Sequence, residues 1–324
     1  MPRDPAPLDP LTRLAIRFGT DKFGGHLYTP AYHHLLGHLR EQKLRILEIG
    51  VGGYDNPHCG GASLRMWAEY FPQARIIGLD YYEKQIAISP RVSIVRGAQE
   101  DTGLLAELNA THGPFDLVID DGSHQPEHMI SSFLYLYPLL TPSAKYIVED
   151  TQTCFMERFG GNSGARGTLY PLAQLLALQM HKGEGYIPAP GETDLSALAA
   201  VSFSVTCMRN IICFQRGDNT YPSNIDLDMG DPAVAEVFKT IEHEAAMHPA
   251  PRNVLSRIDM QNNARQFAAA AALAQAAMRE FPTDLPLMHE LLFMMKRMNQ
   301  AAMISRLEAR VAALEAFCVR AALD

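Results

Sequence analysis

Arg45-Ile46-Leu47-Glu48-Ile49-Gly50-Val51-Gly52-Gly53 is the stretch on which the fold turns. A short apolar run reads as a buried strand, and the glycines after it let the backbone approach a ligand closely. In open α/β sheets ligands sit outside the carboxyl ends of the strands, so an acid followed by glycines at such an end marks a crevice. A dinucleotide fingerprint would run straight into a helix. Here Gly50-Val51-Gly52 is followed by Gly53-Tyr54-Asp55-Asn56-Pro57, a loop interrupted by proline, which weakens the nicotinamide reading. Taken alone, the same glycines also suit a tight structural turn, so their meaning depends on the surrounding pattern.

Outward from this segment, apolar runs at 44–49, 76–80, 92–96, 117–120 and 146–148 read as buried strands. Between them, 63–70, 83–88, 102–109 and 127–140 have the spacing of amphipathic helices. This alternation predicts an α/β fold with a doubly wound, Rossmann-like parallel sheet. A helix at 169–181 and an antiparallel strand pair at 201–206 and 210–215 follow, the pair closing the sheet edge.

Three regions are expected: an N-terminal helical arm or lid (1–42), a ligand-binding α/β domain (43–220) and an all-helical C-terminal unit (232–324). The arm contains a helix at 9–18 with Asp9 as N-cap and Pro10 at the first position. The C-terminal unit is rich in Ala, Met and Leu and broken at Phe281-Pro282-Thr283-Asp284, with helices expected at 264–278, 285–298 and 301–317. These loosely resemble tetratricopeptide helices without establishing a repeat; a cap or an oligomerisation surface is the plainer reading.

A chain of 324 residues, 47% hydrophobic and 20% charged, has room for one large domain and an appendage. Its net charge of −8, without a run of Lys or Arg, argues against a nucleic-acid partner. It shows no apolar stretch of about 18 residues and no leader pattern, so no membrane partner and a cytoplasmic location are expected. Five cysteines without a CxxC pair suggest neither a disulfide framework nor a cysteine zinc site.

The chemistry is carried by strand-end acids. Asp80, closing Ile76-Ile77-Gly78-Leu79-Asp80, can accept both hydroxyls of a ribose. Gln99 and Asp101, in Arg96-Gly97-Ala98-Gln99-Glu100-Asp101, suit an adenine edge, although Asp101 equally suits a helix N-cap. Asp120-Asp121-Gly122-Ser123-His124 and Glu149-Asp150 end the next two strands. Acids meeting across neighbouring strand ends can hold a hard divalent cation such as Mg²⁺, whose waters a substrate hydroxyl can displace. His124, three residues beyond Asp121, is the candidate general base. His33, His34, His38, His58 and His128 lack such context, and most read as surface or packing residues.

Five ordered pieces carry a family resemblance over residues 15–215. They are Gly19-Thr20-Asp21-Lys22 with His26-Leu27-Tyr28-Thr29-Pro30-Ala31-Tyr32, then Glu48-Ile49-Gly50-Val51-Gly52-Gly53, Ser63-Leu64-Arg65-Met66-Trp67, Phe71-Pro72, and Asp120-Asp121-Gly122-Ser123-His124. With these, the chain resembles class I S-adenosylmethionine-dependent methyltransferases, in particular the metal-dependent O-methyltransferases of macrolide and related sugars. The resemblance implies that Glu48, Gly50, Gly52, Ser63, Asp80, Gln99, Asp101 and Asp120 lie along S-adenosylmethionine, with Tyr28 and Thr29 in a lid above it. It implies further that Asp121 and Asp150 hold Mg²⁺ and that His124 deprotonates the acceptor, a sugar hydroxyl of a glycoside or natural product. Thr151 stands where related enzymes offer another ligand, so Glu149 is the expected third one. A homo-oligomer is expected. Two other readings are a hydroxylase of the cephalosporin-hydroxylase type and a non-catalytic scaffold whose tail binds a partner.

Overall fold

The computed structural model describes residues 7–220, 228, 230–247 and 251–321, so the first six residues of the expected arm lie outside the described ones. The chain divides into two units, Met1–Pro222 and Ser223–Asp324.

The first unit is built on a seven-stranded sheet in the order β3-β2-β1-β4-β5-β7-β6. Its strands are β1 (Arg45–Ile49), β2 (Arg75–Asp80), β3 (Val92–Arg96), β4 (Leu117–Asp120), β5 (Lys145–Val148), β6 (Ser202–Met208) and β7 (Ile211–Arg216). The first five are parallel, while β7 runs antiparallel to β5 and to the outer strand β6. Both faces are covered, as a parallel sheet requires. Helices α1 (Pro10–Phe18), α2 (Thr29–Leu36) and α3 (Ala62–Tyr70) contribute Leu11, Tyr32, Trp67 and Tyr70 to one core with Ile46, Ile76, Leu117 and Ile119. Helices α4 (Thr102–His112), α5 (Pro126–Leu136) and α6 (Leu169–Gln179) contribute Leu105, Phe133 and Leu176 to the other with Leu47, Ile49, Val118 and Tyr146. The short α7 (Ser196–Ala200) adds Ala199 to this second core.

The expected α/β class, the strands and the edge pair are all present. Asp9 caps α1 by accepting from the Thr12 amide, and Asp101 caps α4 by accepting from Gly103 and Leu104. One expected element is absent: residues 83–88 are not helical. Ile86 and Ile88, two apart, both pack on the α3 side of the sheet, and the Gln85 amide donates to the Pro57 carbonyl. That side-chain period of two is the extended chain's, and it overrides the weak helical spacing. The helix expected at 127–140 also ends early, at Leu136, passing into a 3₁₀ turn over Tyr137–Leu139 that contains Pro138.

Every regular element among the second unit's described residues is a helix: α8 (Pro232–Met247), α9 (Pro251–Asn263), α10 (Phe267–Glu280), α11 (Leu285–Arg297) and α12 (Ala301–Ala321). Ile258, Ala274, Met288, Leu291, Met295 and Leu307 lie in its own core. The break at 281–284 is a helix start, since the Asp284 carboxylate accepts from the Leu287 amide. Helix α10 begins later than expected, at Phe267, because Arg265 takes a left-handed conformation (φ 54°). Among the described residues no helix is long and apolar enough to cross a membrane.

Candidate active site

The carboxyl ends of β1, β2, β4 and β5 open on a cleft of about 800 Å³, a volume suited to a nucleoside-sized ligand. Its floor is the glycine loop. Gly50 has φ +91°, and a Cβ there would stand 2.0 Å from the Asp121 carbonyl oxygen, so β1 and the β4 tip pass at a distance only glycine permits. The loop is tied to β2 by one carboxylate: Val51 N donates to Asp80 Oδ2 (2.9 Å) and Tyr82 N to Oδ1 (2.8 Å).

Of the residues singled out in the sequence, Gly50, Gly52, Ser63, Asp80, Gln99, Asp121, His124 and Asp150 line this cleft. Others are turned elsewhere. Glu48 alternates with Leu47 and Ile49, so it faces α3, where it is fully buried and accepts from Ser63 Oγ and Trp67 Nε1, each at 3.0 Å. Asp120 faces α5 for the same reason and accepts from Ser132, Tyr146 and Gln99. Gln99 donates to Asp120 and accepts from Ser123 N, so its amide shapes the wall instead of presenting free groups. Asp101 is exposed and occupied as the α4 cap. Thr29 is buried with its hydroxyl on Thr12, 2.6 Å away. Tyr28 is buried and donates to Asp150 at 2.5 Å, with the His26 ring stacked on it at 4.6 Å.

Asp121, His124 and Asp150 bring one ligand atom each within 4.8 Å of one another. His124 (φ 57°) and Asp150 (φ 51°) both sit in the left-handed region, which is costly for non-glycine residues and concentrates at functional sites. Among the described residues His124 Nδ1 is buried without a hydrogen-bond partner, and Nε2 lies 3.7 Å from Asp150 Oδ2. Burial pushes the Asp150 pKa up, but the Tyr28 phenol, the Gln152 amide and the two histidines outweigh it and hold the carboxyl below its ordinary value. Two carboxylates with an imidazole beside them fit a hard cation that keeps some of its waters. The structure does not bring Glu149 into this group: its Oε1 accepts from Lys22 Nζ (2.7 Å) and Tyr32 OH (2.5 Å) in the interior.

Sequence reasoning assigned no role to Lys22 of the Gly19-Thr20-Asp21-Lys22 piece, nor to Tyr81 and Tyr82, and grouped His128 with surface or packing histidines; Tyr81, Tyr82 and His128 all line the cleft. Lys22 is fully buried, with Nζ 2.7 Å from Asp121 Oδ2 and 3.7 Å from Glu48 Oε1. Its two hydrogen-bonded partners, Asp121 and Glu149, are 99 and 127 residues away, beyond any local signal.

Burial, opposed by Lys22, pushes Glu48 up to about 7; burial and the Asp121 charge push Glu149 up to about 8. Both start from 4.5, so the folded state binds protons more tightly than the unfolded chain. The stability these groups contribute is therefore complete below about pH 4.5 and lost as pH rises through about 7 to 8. Melting temperature should decline across that window, and less steeply in Glu149→Gln; equal slopes in scanning calorimetry would refute this.

No family model matches the sequence. Curated relatives do. The chain is 40% identical over 214 residues to the 8-demethyl-8-(2-methoxy-alpha-L-rhamnosyl)-tetracenomycin-C 3'-O-methyltransferase of Streptomyces olivaceus, covering 65% of this chain and 54% of the relative. It is 45% identical over 179 residues to the L-olivosyl-oleandolide 3-O-methyltransferase of Streptomyces antibioticus, covering 54% and 44%. The chain thus spans about half the length of the curated relatives it matches. Among solved structures, the MycE methyltransferase of mycinamycin biosynthesis, in complex with Mg and SAH, superposes with a TM-score of 0.61 at 33% identity, over 71% of this chain and 60% of that one. The fold is that of the class I S-adenosylmethionine-dependent methyltransferases. Over the matched part of those relatives' length, the chain is similar to O-methyltransferases of sugar-bearing natural products.

Proposed function

We propose that this protein is a Mg²⁺-assisted, S-adenosylmethionine-dependent O-methyltransferase acting on a sugar hydroxyl of a glycoside or natural product. The observation that carries the reading is the placement of Asp80, a ribose-type acceptor, in the same cleft as Asp121, His124 and Asp150. Each Asp80 oxygen accepts one backbone N–H and keeps lone pairs for a pair of ribose hydroxyls. Gly52, with no atom within 4 Å of where a Cβ would stand, leaves room beside them for the adenosyl group, while Gly50 lets the β4 tip close in behind it. Asp121 and Asp150 would hold the metal. When bound, S-adenosylmethionine supplies the electrophilic methyl group and Mg²⁺ lowers the pKa of the acceptor hydroxyl. His124 would take the proton of the acceptor hydroxyl as transfer of the methyl group to that oxygen breaks its bond to sulfur and leaves S-adenosylhomocysteine, and Asp150, 3.7 Å from Nε2, would stabilise the imidazolium.

Residues 43–220 are the cofactor-binding domain in this reading, with α1 and α2 packed into its core instead of forming the expected lid, and 232–324 a self-association surface of a cytoplasmic homo-oligomer, the last testable by light scattering. Methyl transfer is tested with labelled cofactor and deoxysugar glycosides. Label should enter the product with Mg²⁺ and not with EDTA; a product that gains oxygen instead would indicate a hydroxylase. Asp80→Ala should weaken S-adenosylhomocysteine binding about 10–100-fold in calorimetry, the worth of hydrogen bonds to a charged acceptor. Unchanged affinity would remove Asp80 from the cofactor site.

A further inference from the structure

Lys22 poses a question that the proposed reaction does not answer: why an ammonium is fully buried beneath the cleft. A buried charge persists only when it is paired and hydrogen-bonded. Lys22 meets that condition with two bonds of 2.7 Å, to Asp121 Oδ2 and Glu149 Oε1, and with Glu48 Oε1 at 3.7 Å. Burial pulls its pKa down, but these three carboxylates more than reverse that, so the group stays charged. The carboxylates come from the ends of three adjacent strands, β1, β4 and β5. Without a cation among them they would repel one another in a low-dielectric setting.

The pairing also settles which oxygens are left for the cleft. Asp121 gives Oδ2 to Lys22, and among the described residues its Oδ1 accepts no hydrogen bond. Glu149 is drawn inward, where Tyr32 OH also donates to it. The Lys22 carbonyl accepts from Tyr28 N (3.0 Å) and Thr29 N (3.3 Å), which links the same residue to the start of α2 and to the phenol on Asp150.

We propose that Lys22 is a built-in counter-ion of the candidate metal site: its ammonium gathers Asp121, Glu149 and, at longer range, Glu48 into a preformed cluster. It thereby supplies, before any divalent ion arrives, charge compensation that the ion would otherwise have to provide. Lys22 is a positioning residue, and the inference rests on the metal-site reading above.

The test is a charge cycle on the full chain at about pH 9, above the values of about 7 and 8 to which Glu48 and Glu149 are pushed, read as melting temperature with EDTA and with Mg²⁺. Lys22→Met removes the ammonium and leaves the carboxylates uncompensated. Its metal-free melting temperature should fall by roughly 5 °C or more. Mg²⁺ should raise it at least about twice as far as it raises the wild type, because a ligand favoured by the added negative charge stabilises the fold by linkage. Lys22→Met/Glu149→Gln removes one negative charge as well and should recover much of the metal-free stability together with the wild-type response to Mg²⁺. A purely structural lysine would give equal Mg²⁺ responses in wild type and Lys22→Met, and that result overturns the proposal. Should Lys22→Met not fold alone, the double variant must fold; its failure overturns the proposal too. The readout uses Mg²⁺ alone, so it is separate from S-adenosylhomocysteine binding, which tests the cofactor reading.

Discussion

His124→Ala should lose methyl transfer by about 10²–10⁴-fold while binding S-adenosylhomocysteine within about threefold of wild type, the range expected for removing a general base. The imidazole stands at the cleft beside Asp121 and Asp150, with Nε2 3.7 Å from the Asp150 carboxylate. Asp80 and the glycine loop, which the adenosyl group would occupy, make their contacts without it. The measurement is turnover at saturating cofactor alongside calorimetric affinity. Turnover undiminished in the variant would remove His124 from the mechanism. Loss of cofactor affinity in parallel would make it a binding residue instead. The non-catalytic scaffold predicts no turnover in the wild type at all, so the same pair of measurements separates it.

Gly50→Ala should be the most destabilising single-methyl change in the first unit. At φ +91° a side chain is strained whatever the space, and here the new Cβ would lie 2.0 Å from the Asp121 carbonyl oxygen and 2.7 Å from its carbon. Both obstacles are backbone, so neither can rotate away. Relief requires β1 to part from the segment after β4, which Asp121 N holds by donating to Ile49 O at 2.9 Å. A cost of about 3 kcal/mol or more follows from strain and overpacking together. For a unit of this size that lowers the melting temperature by about 6–12 °C. Cofactor binding should fall with it, since the loop forms the cleft floor. Gly52→Ala is the internal contrast: φ is +73°, yet no atom lies within 4 Å of the added Cβ, so it should cost clearly less. Equal losses for the two would show that backbone strain alone, not the close approach, governs the loop.

How far the site could be read from the chain depends on the range of each signal. Asp80 was legible because a residue at the end of a parallel strand reaches the ligand side by topology alone. Asp121 and His124 were legible because they follow β4 in the loop beyond its tip, and Asp150 because it stands in the same relation to β5. Glu48 and Asp120 belong to the strands themselves, and the alternation of side chains buries them under α3 and α5. Asp101 followed the helix-cap alternative. Glu149 was expected at the metal, and its inward turn follows from a lysine 127 residues earlier in the chain.

The sequence by itself determined the α/β alternation, most element boundaries, the glycine loop and the strand-end acids that surround the cleft. These are local facts, written in side-chain period, capping residues and turn chemistry. Only the tertiary structure decided that residues 83–88 stay extended, that Asp121, His124 and Asp150 share one small volume, and that Lys22 sits beneath them. Those outcomes depend on charges and packing partners brought together from distant parts of the chain, and no one-dimensional period carries that information.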